Sequence, residues 1–303
     1  MSKVLDELEL RKIALLGFGE AGSILGADLA ATGCEVTTYD ILLDAPATRG
    51  AMLEKAQRAN VRALDSLSAA VAAADLVICA VTATASAAVA AQAGRVLRPG
   101  QIFLDINSVS PATKRSSAQA IEAAGAHYVE AAVMAAVPPQ RLMVPMLLGG
   151  PRAVALAQAL RRLGMSTTAL ADEVGVASAV KMCRSILIKG LEALSLECLW
   201  AARRLGAEKE VLASLHGTFP TLGWEAGLPD YLISRAAEHG RRRAAEMREV
   251  ALTLEEVGVE PTMALATAAR QDALIDAMAA RAIDYEQPFS WRALIDALNS
   301  GSS

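Results

Sequence analysis

The sequence predicts an α/β protein with a doubly wound, largely parallel sheet, followed by an all-α helical domain. Up to about residue 170, short apolar runs alternate with longer helical patterns, which is typical of a parallel sheet covered by helices on both faces. Beyond residue 171 the strand-like runs stop, and nearly every remaining segment has helical character. We therefore expect two domains, comprising residues 1–171 and 172–303.

The elements of the first domain follow from hydrophobic periodicity and from turn residues between the periodic segments. Strands are predicted at 13–16, 35–39, 76–81, 102–106, 127–131, 142–148 and 167–170. Helices are predicted at 20–32, 51–59, 66–74, 84–96, 111–124 and 151–163. In the second domain, helices are predicted at about 173–205, 208–216, 228–238, 240–257, 262–280 and 289–299. We expect the long first helix of that domain to begin at the domain junction and to form its spine.

A glycine-rich turn follows the first predicted strand. Gly17, Gly19 and Gly22 have G-x-G-x-x-G spacing, and Asp40 lies 18 residues after Gly22. The first glycine permits a sharp turn, the second lets a pyrophosphate approach the backbone, and the third lets the helix pack close to the sheet. The helix N-terminus attracts the phosphates, and a carboxylate at Asp40 can accept hydrogen bonds from both ribose hydroxyls.

This context predicts a Rossmann-type dinucleotide-binding domain rather than a plain βαβ unit with a tight turn. The charge of Asp40 disfavours a 2′-phosphate and so favours NAD, although Arg49 in the following loop can offset part of that repulsion and NADP stays possible. The residues assigned to the cofactor are Gly17, Phe18, Gly19, Glu20, Ala21, Gly22, Asp40, Val81 and Thr82.

Composition excludes several other classes of function. The chain has 303 residues, of which 53% are hydrophobic and 20% charged, and its net charge is −4. Because no long basic run is present, we expect neither nucleic acid nor a membrane as a partner. We expect the four cysteines to be small buried side chains and predict no metal site. The N-terminal segment MSKVLDELELRK has no apolar core of a secretory signal, so we expect a cytoplasmic protein.

The long helix carries a stripe of polar residues. Lys181, Ser185, Lys189 and Glu192 follow one another at spacings of four, four and three, so they share one helix face. For Lys189 and Glu192, a solvated face with an ion pair between them is as good an interpretation as a functional one. Lys181 follows the cofactor domain directly, and we expect it to face a cleft between the domains. A partly buried lysine can exchange protons near neutral pH.

The chain resembles the β-hydroxyacid dehydrogenases, relatives of 6-phosphogluconate dehydrogenase and 3-hydroxyisobutyrate dehydrogenase. The resemblance rests on GFGEAG at 17–22, on DINSVSP at 105–111 in place of D-x-S-T-x-x-P, and on GAHYVEAAVMAA at 125–136. A fourth motif, G-x-G-x-x-x-K-x-x-x-N, corresponds to Gly175, Ala177, Lys181 and Ser185. The resemblance covers nearly the whole chain in domain order, but these motifs lie in its first two-thirds.

The resemblance implies roles for several residues. Lys181 occupies the position of the general acid/base, and Asn107 and Ser108 occupy positions that hold the substrate carboxylate and nearby hydroxyls, a task that amide and hydroxyl donors suit. Two departures alter the substrate site. The usual Ser-Gly-Gly is Met134, Ala135 and Ala136 here, and the asparagine is Ser185. These changes indicate a bulkier or more apolar substrate than a typical small hydroxyacid.

A basic segment follows in the second domain. His239, Arg242 and Arg243 can bind an anionic group of the substrate if they approach the site, but a solvated charged helix is the favoured interpretation. We include His239 among the candidate substrate-binding residues together with Asn107, Ser108, Met134, Ala135 and Ser185.

The sequence thus predicts an NAD(P)-dependent dehydrogenase or reductase that acts on CH–OH groups of a small-molecule substrate, with Lys181 as the catalytic residue. Two alternatives stay open: an enzyme of the imine reductase or reductive aminase kind, and a protein that senses NAD without catalysis. The lysine favours C=O over C=N chemistry, because the imine reductases that resemble this chain typically lack it. The alanine-rich helical domain also predicts a homodimer that buries its apolar surface.

Overall fold

The computed structural model describes residues 8–300, and the chain divides into two compact units between Lys181 and Met182. Part of the N-terminal segment behind the expectation of a cytoplasmic protein lies outside the described residues. The first unit has the strands β1 Lys12–Leu16, β2 Glu35–Tyr39, β3 Arg62–Ala63, β4 Leu76–Cys79, β5 Ile102–Asp105, β6 His127–Val133, β7 Met146–Gly149 and β8 Thr167–Ala171. Its helices are α1 Glu20–Ala31, α2 Pro46–Arg58, α3 Leu67–Val71, α4 Ala83–Ala93, α5 Pro111–Glu122, α6 Val137–Gln140 and α7 Ala153–Arg162.

The eight strands form one sheet in the order β3-β2-β1-β4-β5-β6-β7-β8. All neighbouring strands are parallel except β6 and β7, which are antiparallel. This topology confirms the predicted Rossmann-type doubly wound α/β fold. It also places the carboxyl ends of β1, β4, β5 and β6 along a single edge of the sheet, where ligands bind in folds of this kind.

Both faces of the sheet are buried, which explains the nearly continuous apolar runs of its strands. Along β1, Ile13 and Leu15 face one core, which α1, α2 and α7 cover. Ala14 and Leu16 face a second core, which α3, α4 and α5 cover. Because successive side chains of a strand point to opposite faces of the sheet, the residues of β1 contribute alternately to the two cores.

Some short elements differ from the prediction. The two-residue strand β3 and the single-turn helix α6 were missed, because neither is long enough to show a period. Helix α2 begins at Pro46 rather than at residue 51, since proline is favoured in the first turn of a helix. Strand β7 is shorter than predicted, because residues 141–143 form a 3₁₀ turn before it.

The second unit is helical, as predicted. The long helix α8, Val176–Arg204, begins in the first unit and continues into the second, where it is followed by α9 Glu208–Thr218, α10 Leu228–Glu256, α11 Thr262–Ala279 and α12 Trp291–Asn299. Its larger core gathers Leu196 and Leu199 from α8, Ile233 from α10, and Trp291 and Ile295 from α12. The apolar faces of the helices therefore pack on one another, and no strand is assigned to this unit within the described residues.

Helix α10 replaces the two helices predicted at 228–238 and 240–257. Its backbone leaves helical geometry at His239, with φ −128° and ψ 15°, so the predicted break is present as a kink. The next residue, Gly240, packs so closely on α11 that a Cβ would lie 2.6 Å from Ile275 Cγ1 and 3.0 Å from the carbonyl oxygen of Gln271. Glycine at this position therefore permits the close approach of α10 and α11 directly after the kink.

The cysteines correct one expectation. Cys79 is buried, but Cys183 and Cys198 are exposed on α8.

No cluster of three or more His, Cys, Asp or Glu side chains suited to a metal ion occurs between residues 8 and 300. Over the same residues, no helix has the length and apolar character that crossing a bilayer requires.

Candidate functional site

Four candidate segments of the first unit follow strands whose carboxyl ends lie at one edge of the sheet. The glycine-rich turn follows β1, Val81 and Thr82 follow β4, Asn107 and Ser108 follow β5, and Met134 and Ala135 follow β6. Because these strands are parallel, the segments share that edge. The fold thus brings most of the predicted cofactor and substrate residues of this unit to one place.

The glycine-rich turn has the geometry that each glycine was expected to serve. Gly17 has φ +89°, and a Cβ there would lie 2.6 Å from the carbonyl oxygen of Ala80. A Cβ on Gly22 would collide with the carbonyl oxygen of Gly17. At Gly19, no described atom outside its own stretch of chain lies within 4 Å of the corresponding position. The first and third glycines are therefore required by the fold, whereas the second leaves open the space that a pyrophosphate needs.

Asp40 lies directly behind this turn. Its Oδ2 accepts a 2.6 Å hydrogen bond from the backbone N–H of Phe18, and its Oδ1 accepts one of 3.0 Å from the N–H of Leu42. Since each carboxylate oxygen has two lone pairs, both can still accept a ribose hydroxyl. Lys55, which the sequence prediction missed, donates from Nζ to the carbonyl oxygens of Phe18 and Gly19, both at 2.8 Å. These contacts fix the shape of the turn.

Asp105, at the end of β5, is the centre of a buried polar network. Its side chain is fully buried, and Lys114 Nζ lies 3.1 Å from its Oδ1 while donating to its carbonyl oxygen at 2.9 Å. Tyr128 Oη donates to Oδ2 at 2.7 Å. Burial, followed by the charge of Asp105, raises the pKa of Cys79 to about 12, so this nearby thiol stays protonated.

The amide nitrogen of Asn107 donates to buried groups of the first unit, and its role toward a substrate stays a prediction. Its Nδ2 donates inward to Asp105 Oδ1 at 2.7 Å, to Ser86 Oγ at 3.2 Å and to Cys79 Sγ at 3.3 Å. Asp105 Oδ1 also accepts from the backbone N–H of Asn107 and lies beside Lys114 Nζ, so it acts as an acceptor and the amide nitrogen, not the amide oxygen, faces it. Both N–H bonds are thereby used, and the group left for a ligand is an acceptor.

Two oxygen atoms of this segment have no hydrogen-bond partner. Asn107 Oδ1 and Ser108 Oγ are both buried, and no described residue pairs with either. An unsatisfied buried polar atom costs about 1–3 kcal/mol. Such atoms at the carboxyl edge of the sheet are consistent with the predicted role of Asn107 and Ser108 in ligand binding.

Glu130 of β6 is a second buried carboxylate that the sequence prediction missed. Its Oε1 accepts from the backbone N–H of Gly175 at 2.7 Å and of Ala177 at 2.9 Å, and its Oε2 accepts from that of Ser178 at 3.3 Å. These N–H groups form the N-terminus of α8, which attracts negative charge. Gly149 opposite leaves the space, because a Cβ there would lie 2.6 Å from Glu130 Oε1.

Removing the charge of Glu130 should loosen the start of α8. We expect Glu130→Gln to lower the free energy of unfolding by about 2–3 kcal/mol, because charge-assisted hydrogen bonds to a helix N-terminus are lost. The matched control is Glu173→Gln, which changes an exposed acid just before α8 and should alter stability by less than about 0.5 kcal/mol. Urea unfolding measures both, and equal small effects would contradict the assigned role of Glu130.

Lys181 lies five residues after the first residue of α8, within the segment that Glu130 anchors to the first unit. Its side chain is partly buried, and its role as an acid/base stays a prediction. The helical periodicity of the sequence pointed to Lys181. The carboxylate that anchors its helix, Glu130, lies 51 residues earlier in the chain and was not predicted. An acid inside the apolar strand HYVEAAV is the signal that points to such a carboxylate.

The rest of the polar stripe is not a solvated face, so that interpretation of Lys189 and Glu192 was wrong. Both side chains are buried, and each forms its ion pair with a residue of α10 rather than with the other. Lys189 Nζ lies 2.6 Å from Glu246, and Glu192 accepts both a 2.7 Å bond from Arg243 Nε and a second from its Nη2. Ser185 is buried as well and accepts from Lys189 Nζ at 3.4 Å.

This cluster has shifted proton affinities. Burial lowers the pKa of Lys189 below that of an exposed lysine, although the charge of Glu246 opposes the shift. Burial raises the pKa of Glu192 above its ordinary value, and Arg243 opposes that shift. The second unit therefore holds charged groups that are paired across two helices, as buried charges normally are.

The basic segment is only in part the solvated helix that the sequence favoured. Arg242 is exposed, but Arg243 is largely buried against Glu192. His239 occupies the kink of α10, and its Nε2 lies 3.3 Å from Glu238 Oε2. A cavity of about 480 Å³ lies between α10 and α11, and Glu238, His239 and Tyr285 form part of its wall.

Comparisons with known proteins agree with this architecture. Residues 12–168 match the family model described as the NAD binding domain of 6-phosphogluconate dehydrogenase, which spans just over half of the chain. Residues 202–274 match a domain of unknown function, DUF1932.

Three solved structures illustrate the similarity. A conserved hypothetical protein from Sinorhizobium meliloti is 37% identical over 99% of both chains, with a TM-score of 0.76. The conserved protein MTH1747, of unknown function but structurally similar to 3-hydroxyacid dehydrogenases, is 32% identical, with a TM-score of 0.68 over 86% of this chain and 97% of that one. The 3-hydroxyisobutyrate dehydrogenase of Mycobacterium tuberculosis shares the fold at 17% identity, with a TM-score of 0.72 over 97% of this chain and 100% of that one.

Proposed function

Because the chain belongs to the β-hydroxyacid dehydrogenase family, we propose that it interconverts a secondary alcohol and its carbonyl with a nicotinamide cofactor. The observation that carries this proposal is the glycine-rich turn, whose open position at Gly19 fits a pyrophosphate. The family lysine, Lys181, stands on a helix that Glu130 anchors to the same unit. When bound, the nicotinamide accepts the hydride from the alcohol or returns it.

Lys181 acts as the general acid/base in this proposal. Its neutral amine removes the hydroxyl proton during oxidation, and its ammonium returns a proton to the alkoxide oxygen during reduction. A positioned proton-transfer group contributes about 10²–10⁴-fold to a rate.

We propose NAD as the preferred cofactor. Asp40 keeps free lone pairs for ribose hydroxyls, and its charge disfavours a 2′-phosphate. Arg49, which the sequence prediction placed in a loop and regarded as a possible counter-charge, belongs to α2. Its guanidinium donates to the carbonyl oxygen of Leu43 at 2.7 Å and forms an ion pair with Asp65, so it is already engaged.

The substrate contacts stay proposals for individual residues. Met134 and Ala135 form the loop after β6, where Met134 N–H donates to the carbonyl oxygen of Pro145 at 2.9 Å. Met134 offers an apolar side chain where the family has serine, and Ala135 adds a methyl group where it has glycine, which favours a bulkier or more apolar substrate. Ser185 and His239 of the second unit are the further substrate-binding candidates.

A screen tests the proposed reaction. Hydroxyacids, sugar acids and aromatic alcohols are offered with NAD and NADP, carbonyl and imine compounds are offered with the reduced cofactors, and nicotinamide absorbance is followed. We expect alcohol oxidation with NAD. Preferential reduction of imines would instead identify a reductive aminase, and cofactor binding without turnover across the panel would support a sensor.

We also propose a homodimer, formed through the outer face of α8. Five exposed side chains at spacings of four, four, three and four share this face: Cys183, Leu187, Leu191, Leu194 and Cys198. Leu187 is 66% exposed and Leu194 is 55% exposed, although leucine side chains are most often buried.

The spacing along this face is symmetric, because 183 and 198, like 187 and 194, are equidistant from a point between residues 190 and 191. Antiparallel pairing about a two-fold axis at that point joins Leu187 to Leu194 of a second copy.

Cross-linking distinguishes this arrangement from others. In a Cys34→Ser background, a short bismaleimide should link an equimolar mixture of Cys183→Ser and Cys198→Ser chains, because Cys198 and Cys183 then face one another. Either variant alone should give no dimer, since identical cysteines lie about 22 Å apart along the antiparallel helices. Efficient linkage within one variant, or a monomer by light scattering at micromolar concentration, would contradict the proposal.

A further inference from the structure

We propose that Asn107 recognises its ligand as a hydrogen-bond acceptor, so that the bound group at this position is a donor and not a carboxylate. This inference deepens the proposed function by restricting the chemical class of the ligand, and it rests on the cofactor and substrate binding at the carboxyl edge of the sheet. The shared chemistry is an N–H or O–H group. It can belong to the carboxamide of the nicotinamide or to the substrate.

The first step is the orientation of the amide, which the buried carboxylate of Asp105 decides. Asp105 Oδ1 accepts from the backbone N–H of Asn107 at 2.9 Å and from its Nδ2 at 2.7 Å. Lys114 places its ammonium beside the same carboxylate and Tyr128 donates to it, so the carboxylate is surrounded by donors and serves as an acceptor. Rotating the amide by half a turn would set two oxygen atoms 2.7 Å apart, which repel.

The second step is that the remaining atom lacks a partner. Asn107 is more than nine-tenths buried, and its Oδ1 accepts from no described residue. Ser108 Oγ, on the next residue, is also buried and without a partner. Buried polar atoms are nearly always paired in folded proteins, so two adjacent exceptions at the ligand-binding edge indicate that a ligand supplies the pairing.

The third step concerns selectivity. An acceptor facing a carboxylate leaves two acceptors in contact with no proton between them, whereas an amide or hydroxyl of the same size can donate. Serine, the family residue at this position, can rotate its hydroxyl to donate, but this asparagine cannot. The replacement of serine by Asn107 therefore changes the hydrogen-bonding preference of the position, in addition to its size.

The test compares ligands that differ only in donor capacity, using binding and not turnover. One arm titrates the protein with NAD and with 3-acetylpyridine adenine dinucleotide, which carries a methyl ketone in place of the carboxamide and has no N–H. The other arm titrates the NAD-bound protein with 3-hydroxypropanamide and with 3-hydroxypropanoate, which have nearly the same shape. Each arm is repeated with Asn107→Ser.

We expect wild-type protein to prefer the donor ligand in one arm, and Asn107→Ser to reduce that preference by about tenfold, the effect of one hydrogen bond. A change in the cofactor arm assigns the donor to the carboxamide, and a change in the other arm assigns it to the substrate. The control, Ser117→Ala, removes another buried unpaired hydroxyl and should leave both preferences unchanged.

The inference is overturned if wild-type protein shows no donor preference in either arm. It is also overturned if Asn107→Ser retains the wild-type preferences in both. The wild-type comparison decides the matter even if the variant is unstable. Failure of the proposed function is distinguishable, because a chain that binds dinucleotide with this preference but oxidises no alcohol supports the role of Asn107 while contradicting the reaction.

Discussion

A Lys181→Met variant is expected to bind NAD as tightly as wild type but to turn over about 10²–10⁴-fold more slowly. Methionine fills a similar volume but cannot carry the proton between the hydroxyl and the solvent. The cofactor turn should be unaffected, because it is built from backbone after β1 and from Asp40. Steady-state kinetics on a substrate found in the screen, together with cofactor titration, measures the two effects separately.

The design needs controls for charge and for folding. Lys209→Met removes an exposed lysine of α9 and should leave turnover and cofactor affinity unchanged. Lys181→Arg keeps the positive charge but does not release a proton near neutral pH, so it should also be slow. Near-normal turnover of Lys181→Met would remove this residue from the mechanism, and wild-type rates in Lys181→Arg would reduce its role to electrostatics.

The second large effect is expected at the open glycine of the turn. Gly19→Ala should fold normally, because no described atom outside its own stretch of chain lies within 4 Å of the added Cβ. It should nevertheless weaken NAD binding by at least about tenfold, roughly 1.4 kcal/mol, because the methyl group occupies the space of the pyrophosphate.

Gly50→Ala is the matched control for that experiment. Gly50 lies in α2, and the position of its added Cβ is also open. Alanine in a helix is favoured over glycine by about 0.5–1 kcal/mol, so this variant should be slightly more stable and bind NAD normally. If Gly19→Ala binds NAD as wild type does, the dinucleotide does not approach the turn in the proposed manner.

The features that the sequence predicted correctly depend on local pattern. The glycines at 17, 19 and 22 meet backbone requirements that arise within one strand, turn and helix, so their spacing alone indicates the turn. The hydrophobic periodicity of the sequence likewise predicted the alternation of strands and helices and the length of α8. The kink at His239 was anticipated as a break, because the helical pattern changes there.

Features that depend on partners distant in sequence could not be predicted in the same way. Glu130 caps a helix that begins 46 residues later, and Lys189 pairs with Glu246 at a distance of 57 residues along the chain. The spacing of Lys189 and Glu192 suggested a pair on one solvated helix, whereas packing on α10 gave each a different partner. The orientation of the Asn107 amide required knowledge of the position of Asp105 and of the donors around it.

The most direct test of the central claim follows hydrogen from the alcohol to the cofactor. A substrate identified in the screen is deuterated at its carbinol carbon and oxidised by the wild-type protein. Mass spectrometry then measures the mass of the reduced cofactor. Hydride transfer predicts that each reduced nicotinamide carries one deuteron and that the deuterated alcohol reacts more slowly when chemistry limits the rate. Reduced cofactor without deuterium, or deuterium recovered only in the solvent, would contradict the account.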